Sequence, residues 1–156
     1  LATLLYFKGT VDDAMQLDLA YAPPFSPALG NVITAANVLQ NKLDKNTEGI
    51  LPMELKKKID LGDDDFLFVD VRPPEMRDQL CLTKDCQSIP MSTLRDNMEH
   101  LPKDKIIITS CMIGLNAVQA YRILKHKGFE TVCYLDGGVA AWPDPIPNPH
   151  IHDKIC

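Results

Sequence analysis

From Ile50 onward, short apolar runs alternate with stretches of helical periodicity. Phe66-Leu67-Phe68-Val69-Asp70-Val71 is an apolar run bounded by polar residues and predicts a buried strand. Ile106-Ile107-Ile108-Thr109-Ser110 is largely β-branched and predicts a central strand. Thr131–Leu135 predicts another buried strand, and Ser88–Met91 a short one. Between them, Pro52–Ile59 reads as a short helix with Met53, Leu55 and Ile59 as its apolar positions. Ser92–His100 reads as a second helix, with Ser92 and Arg95 in place of a proper capping box. Leu115–Lys127 reads as a third, packed through Val118, Tyr121 and Leu124/Lys125 and ended by Gly128. Asp136-Gly137-Gly138 turns the chain before a last helical turn over Val139–Trp142. Strands and helices alternating at this spacing predict an α/β fold, a parallel sheet flanked by helices.

The first third follows a weaker pattern. Thr10 can cap a short helix that begins Val11-Asp12-Asp13, with the acids in its first turn. Pro23, Pro24 and Pro27 exclude regular helix and favour an extended path. Asn31–Leu43 predicts a helix with Val32, Ala35, Ala36, Leu39 and Leu43 on one face, and a polar linker follows over Lys45–Gly49. Few large apolar residues are spread over these elements, so this third is not expected to fold alone. Past Trp142, Pro143, Pro145, Pro147 and Pro149 predict a loose or extended tail.

Length and composition narrow the function classes. The chain has 156 residues, 46% hydrophobic and 24% charged, which suits one domain of ordinary size, or one small domain plus an appendage, with a core of useful size. A net charge of −5 supplies no basic field for nucleic acid or an anionic membrane, and no apolar run is long enough to span a bilayer. There is no signal-peptide pattern, and the start at Leu1 rather than Met reads as a piece of something larger. Cys81, Cys86, Cys111, Cys133 and Cys156 are odd in number, irregularly spaced and free of any CxxC pair. They predict neither a disulfide framework nor a structural metal, and a reducing cytoplasm is the default setting. Cys81 and Cys86 are read as incidental surface thiols rather than a redox pair, Cys133 as an inert strand residue. His150, His152 and Cys156 are read as part of a loose tail rather than metal ligands.

Cys111 is the candidate for chemistry. It follows a predicted parallel strand and precedes a predicted helix, at the carboxyl end of the sheet where open α/β folds place ligands. The loop Cys111-Met112-Ile113-Gly114-Leu115-Asn116 must turn sharply, which Gly114 permits. Converging backbone N–H groups and the helix N-terminus favour a thiolate over a thiol, and would equally favour a persulfide anion, with no side-chain base. The plainer account, a small buried hydrophobe, is outweighed by the loop pattern.

Phe68-Val69-Asp70-Val71-Arg72-Pro73-Pro74-Glu75, Ser88-Ile89-Pro90-Met91, the Cys111–Asn116 loop and Tyr134-Leu135-Asp136-Gly137-Gly138-Val139-Ala140-Ala141-Trp142 together resemble the rhodanese domain, in order and spacing, over Ile50 to Trp142. The resemblance implies a rhodanese-like parallel sheet and sulfane-sulfur transfer through a persulfide on Cys111. Asp70 and Arg72 match a strand-end motif, for which tying neighbouring loops and forming an exposed ion pair both stand open. Two departures are visible. The loop ends in Asn116 where the family often has Arg or another polar residue that helps hold an anionic donor, which weakens the case for thiosulfate and leaves persulfide or polysulfide donors. Asp85-Cys86-Gln87 stands where the family usually has Gly-His before Ile-Pro.

The run Asp18-Leu19-Ala20-Tyr21-Ala22-Pro23-Pro24-Phe25-Ser26-Pro27 and the helix after it resemble the end of a dimerisation domain. The family is the FAD-dependent pyridine nucleotide-disulfide oxidoreductases, in the branch of coenzyme A-disulfide reductases, NADH oxidases and persulfide reductases. Some members carry a C-terminal rhodanese domain in this order. The resemblance implies residues 1–48 as a remnant of a flavoprotein dimerisation domain, 49–145 as the rhodanese-like domain and 146–156 as a tail. It implies FAD and NAD(P)H in a full-length homodimer. This stretch itself has no Gly-rich nucleotide fingerprint and is expected to bind neither. Low-molecular-weight thiols or persulfides, and the rest of the flavoprotein, are the implied partners. Tyr21 is a candidate partner-site residue by position only, and a packing role is the favoured reading.

Three functions follow. The first is a sulfurtransferase. The second is a phosphatase of the related fold, disfavoured by the short loop and its lack of Arg. The third is a catalytically weak binding or regulatory module, motivated by Asn116.

Overall fold

The computed structural model describes residues 1–18, 24–25, 29–77, 82 and 86–144. Tyr21, Cys81, the tail from residue 145 and most of the proline-rich run lie outside the described residues. The chain divides into two compact units, residues 1–47 and the chain from Glu48 onward.

In the first unit, α1 spans Ala2–Tyr6, α2 Val11–Met15 and α3 Asn31–Leu43. The pattern of residues 2–6 announces no helix, and α1 has neither a side-chain cap nor a buried residue. Helix α2 starts where Thr10 predicts. The Asp13 amide donates to the Thr10 hydroxyl (3.2 Å), and the Thr10 amide donates to the Asp13 carboxylate (2.7 Å). This reciprocal box satisfies two amides that a helix start leaves without partners. On α3 the expected apolar face is incompletely covered. Ala36 is buried, whereas Ala35, Leu39 and Leu43 are exposed.

The second unit is a five-stranded parallel sheet with helices on both faces. Its strands are β1 (Gly49–Ile50), β2 (Phe66–Asp70), β3 (Gln87–Ser88), β4 (Ile106–Ser110) and β5 (Val132–Leu135), in the order β1-β5-β4-β2-β3. β4 is central, as its β-branched run predicts. Alternation divides its side chains between two cores. Val69, Val71, Ile107, Val132 and Tyr134 pack with Ala117, Ala120, Tyr121 and Leu124 of α7 (Leu115–His126) and with Leu94 of α6 (Leu94–Asn97). Phe68, Ile108 and Leu135 pack with Leu55 of α4 (Pro52–Asp60) on the other face. A one-turn helix, α5 (Pro74–Arg77), follows β2.

Several expectations are corrected. Met53 of α4 is exposed, and Leu55 alone on that helix is fully buried. The segment Ser92–His100 divides into α6 and a 3-10 turn over Met98–His100. Ser92 does not cap it: Thr93 occupies the cap position, and its hydroxyl donates back to the Pro90 carbonyl. The packed stripe of α7 includes Ala117 and Ala120, whose small side chains let the helix lie close on the sheet. Gly128, with φ +86°, ends that helix as expected.

Candidate functional site

Cys111 is the first residue past β4 and is only 4% exposed, packed with the α7-side core. Gly114 adopts φ +95°, ψ −20°, a region open to glycine. This folds its amide back onto the sulfur, and the Gly114 N–H donates to Cys111 Sγ at 3.2 Å. α7 begins at the next residue, so the amides of its first turn have no partners within the helix. They add partial positive charge on the same side.

The backbone holds this loop from below. Val139 N–H donates to the Cys111 carbonyl (3.0 Å) and Ala140 N–H to the Met112 carbonyl (2.9 Å). The approach requires glycine at 138. A Cβ there would lie 2.5 Å from the Cys111 carbonyl oxygen, 2.6 Å from that of Met112 and 2.7 Å from the Gly114 nitrogen, at φ +63°. The Thr109 hydroxyl, wholly buried, lies 2.9 Å from the Ala117 carbonyl and 3.3 Å from that of Cys133, pinning β4 to the start of α7 and to β5. Thr109 and residues 138–140 thus support the site, although local sequence pattern marks them only as strand and turn. In the sequence the Gly137-Gly138 pair marks a turn and a segment of the rhodanese resemblance, and its contact with the loop is visible only in the fold.

Asp70 and Arg72 form a buried pair, 1% and 2% exposed. This settles the alternatives against an exposed ion pair. Arg72 Nε donates to both Asp70 carboxylate oxygens (3.0 Å each), its Nη2 donates to Oδ2 (2.6 Å), and its backbone amide to Oδ1 (3.0 Å). Asp70 is in register with Ser110, and the Val71 amide donates to the Ser110 carbonyl, so the pair braces the strand ends from which the loop springs. A charge pair with this many hydrogen bonds is costly to break from one side.

The remaining loop residues divide by exposure. Ile113 and Leu115 are 67% and 64% exposed, Asn116 is exposed, and Met112 is half-buried. Cys86 is buried, which corrects its reading as a surface thiol. It belongs to the α4-side core, across the sheet from Cys111, and so cannot resolve a persulfide there. Burial pushes the Cys133 thiol up to about 11, as an inert strand thiol requires. Among the described residues no group of three His, Cys, Asp or Glu side chains is placed to hold a metal ion, and no helix is long and apolar enough to cross a membrane.

Comparison with known proteins bears on this geometry. The family profile described as "Rhodanese-like domain" matches residues 51–144. A sulfurtransferase of Allochromatium vinosum is 33% identical over 79 residues, covering 51% of this chain and 73% of that protein. Among solved structures, an NAD-dependent persulfide reductase from A. fulgidus is 45% identical with a TM-score of 0.77. The reduced CoADR-RHD protein of Bacillus anthracis is 32% identical with a TM-score of 0.81. Each of these two matches covers 90% of this chain, which spans 24% of that protein's length.

Proposed function

This chain belongs to the rhodanese-like domain family, and from that premise we propose that it moves sulfane sulfur between persulfides or polysulfides and thiols through a persulfide on Cys111. The observation that carries the reading is the Gly114 amide on Cys111 Sγ at the start of α7. That amide can stabilise an anion on sulfur without a basic side chain.

The chemistry needs only thiolate exchange. The Cys111 thiolate attacks the outer sulfur of a donor R–S–SH. The donor's S–S bond breaks, R–S⁻ leaves, and Cys111–S–SH remains. An acceptor thiolate then attacks that outer sulfur, and the electron pair of the broken S–S bond returns to Sγ. Sulfane sulfur changes carrier with no net oxidation or reduction.

Donor class follows from charge. Residues 111–116 include no cation, and Arg72 is buried against Asp70. A thiosulfate dianion would therefore meet no fixed positive charge in the loop, while a persulfide asks for less. Transfer from a persulfide donor to a thiol should greatly exceed transfer from thiosulfate, and Cys111→Ser should abolish both. Equal turnover of the two donors would refute this donor assignment. A Cys111→Ser variant as active as the parent would refute the mechanism.

The likeness to the A. fulgidus persulfide reductase over 90% of this chain supports a wider reading. In it, this stretch is the appended domain of a disulfide- or persulfide-reducing flavoenzyme, working in a reducing cytoplasm as a homodimer. The remainder of such a protein would hold FAD and NAD(P)H, and residues 1–48 would be the end of its dimerisation domain. Purifying the protein from its native source and reading its mass and flavin absorbance tests this. A flavin-free protein of this length would overturn it.

A further inference from the structure

We propose that Ile113 and Leu115 select the low-molecular-weight thiol that exchanges sulfur with Cys111, favouring uncharged thiols with an apolar arm over anionic ones; this rests on the sulfur-transfer reading above. The two side chains bracket Gly114, whose N–H marks where negative charge on sulfur is held. Both stand more than 60% exposed, while Cys111 and Gly114 between and before them are buried. Single exposed apolar residues are common on protein surfaces. Here a pair of them occupies the two positions of the loop closest in sequence to the sulfur's hydrogen-bond donor. From Cys111 to Tyr121 the chain has no charged residue, and the charge in the adjoining turn is the carboxylate of Asp136.

A thiol approaching the outer sulfur of the persulfide must lead with its own sulfur, because Cys111 is only 4% exposed. The rest of the thiol then lies over the rim. An alkyl arm covers Ile113 and Leu115 and is itself removed from water, which is favourable. A carboxylate in the same place loses hydration over an apolar surface to which residues 111–121 contribute no cation. The exchange is the one already balanced: the thiolate attacks the outer sulfur, the S–S bond to Sγ breaks, and R–S–SH departs from the Cys111 thiolate.

The test uses the full 156-residue chain, loaded with sulfur from inorganic polysulfide and checked by intact mass. The loaded protein meets N-butanoylcysteamine or N-succinylcysteamine. These share the same mercaptoethylamide and differ at the far end in an alkyl group against a carboxylate. The butanoyl thiol should discharge the persulfide roughly tenfold faster, the scale of discrimination an apolar contact supplies. In the Ile113→Gln/Leu115→Gln double variant the ratio should fall toward one, and in Leu115→Lys it should invert. Each ratio is taken within one protein, so a change in overall rate cancels. A wild-type ratio near one, or a ratio unchanged in the double variant, overturns the selectivity and leaves sulfur transfer standing. A protein that takes no sulfur on Cys111 overturns both.

Discussion

Leu55, Leu94, Ile107, Ile108, Leu124 and Leu135 are wholly buried in the α/β unit, on both faces of its sheet. Among the described residues of 1–47 the buried apolar side chains are Ala14 and Ala36, while Leu5, Tyr6, Phe7 and Leu43 are each at least 60% exposed. An apolar cavity of about 250 Å³ opens among the three helices of that unit, lined in part by Leu4, Leu5, Ala14, Val32 and Leu39. A parallel sheet buries two faces of every strand and can thereby hold a reactive loop rigidly at its edge. The described helices of residues 1–47 bury little beyond Ala14 and Ala36 and carry local devices such as the Thr10–Asp13 box. The site accordingly lies where burial is deepest.

Arg72→Met leaves the Asp70 carboxylate buried without its guanidinium and should cost about 3–5 kcal/mol. Urea unfolding measures it, and the Asp70→Asn/Arg72→Met pair should recover much of the loss. Leu124→Ala should cost about 2–5 kcal/mol as a cavity in a packed core. Leu39→Ala, on a half-exposed position of α3, should stay within about 0.5 kcal/mol of the parent. Equal losses at the two leucines would erase the contrast between the units. Gly138→Ala forces a Cβ onto two loop carbonyls and should cost about 1–3 kcal/mol in denaturant, while sulfur loading on Cys111 falls far more than stability does.

The smallest effect is electrostatic. The Thr10 amide, then its hydroxyl, hold the Asp13 carboxyl below its ordinary value. A carboxyl lowered on folding stabilises above its unfolded pKa and loses that contribution as pH falls through the folded one. The α2 cap should therefore be complete at neutral pH and fail only in acid below the ordinary carboxylate range. A carboxyl NMR titration of Asp13 reads this, and Thr10→Ala, which removes the hydroxyl and keeps the amide, should move the group only part of the way back toward its ordinary value.

Most of the sheet was legible because its strands carry strong local patterns. The apolar run at β2 and the β-branched run at β4 admit one reading, and the strand–Cys–Gly–helix order marks Cys111 directly. What local pattern could not show depends on distant partners. Whether Asp70 and Arg72 are buried depends on what covers the strand ends. The closeness of Gly138 to Cys111 arises only when β5 pairs beside β4. Cys86 looks like a surface thiol among polar neighbours, yet it packs in the α4-side core with Phe68 and Ile108. Met53 falls on helical spacing, but the sheet covers only the narrow stripe of α4 around Leu55. In α3 periodicity marks the apolar face correctly, but periodicity does not say whether anything covers that face.

Peptide mapping tests most directly whether Cys111 Sγ carries the transferred sulfur. The protein should be exposed to a persulfide donor, freed of excess reagent, digested without reductant and mapped by mass spectrometry. One added sulfur should appear on the peptide containing Cys111, be lost on addition of an acceptor thiol and be absent from Cys111→Ser, with Cys86 and Cys133 unchanged. Added sulfur on Cys86 or Cys133 but not on Cys111, or the same gain in Cys111→Ser, would contradict it.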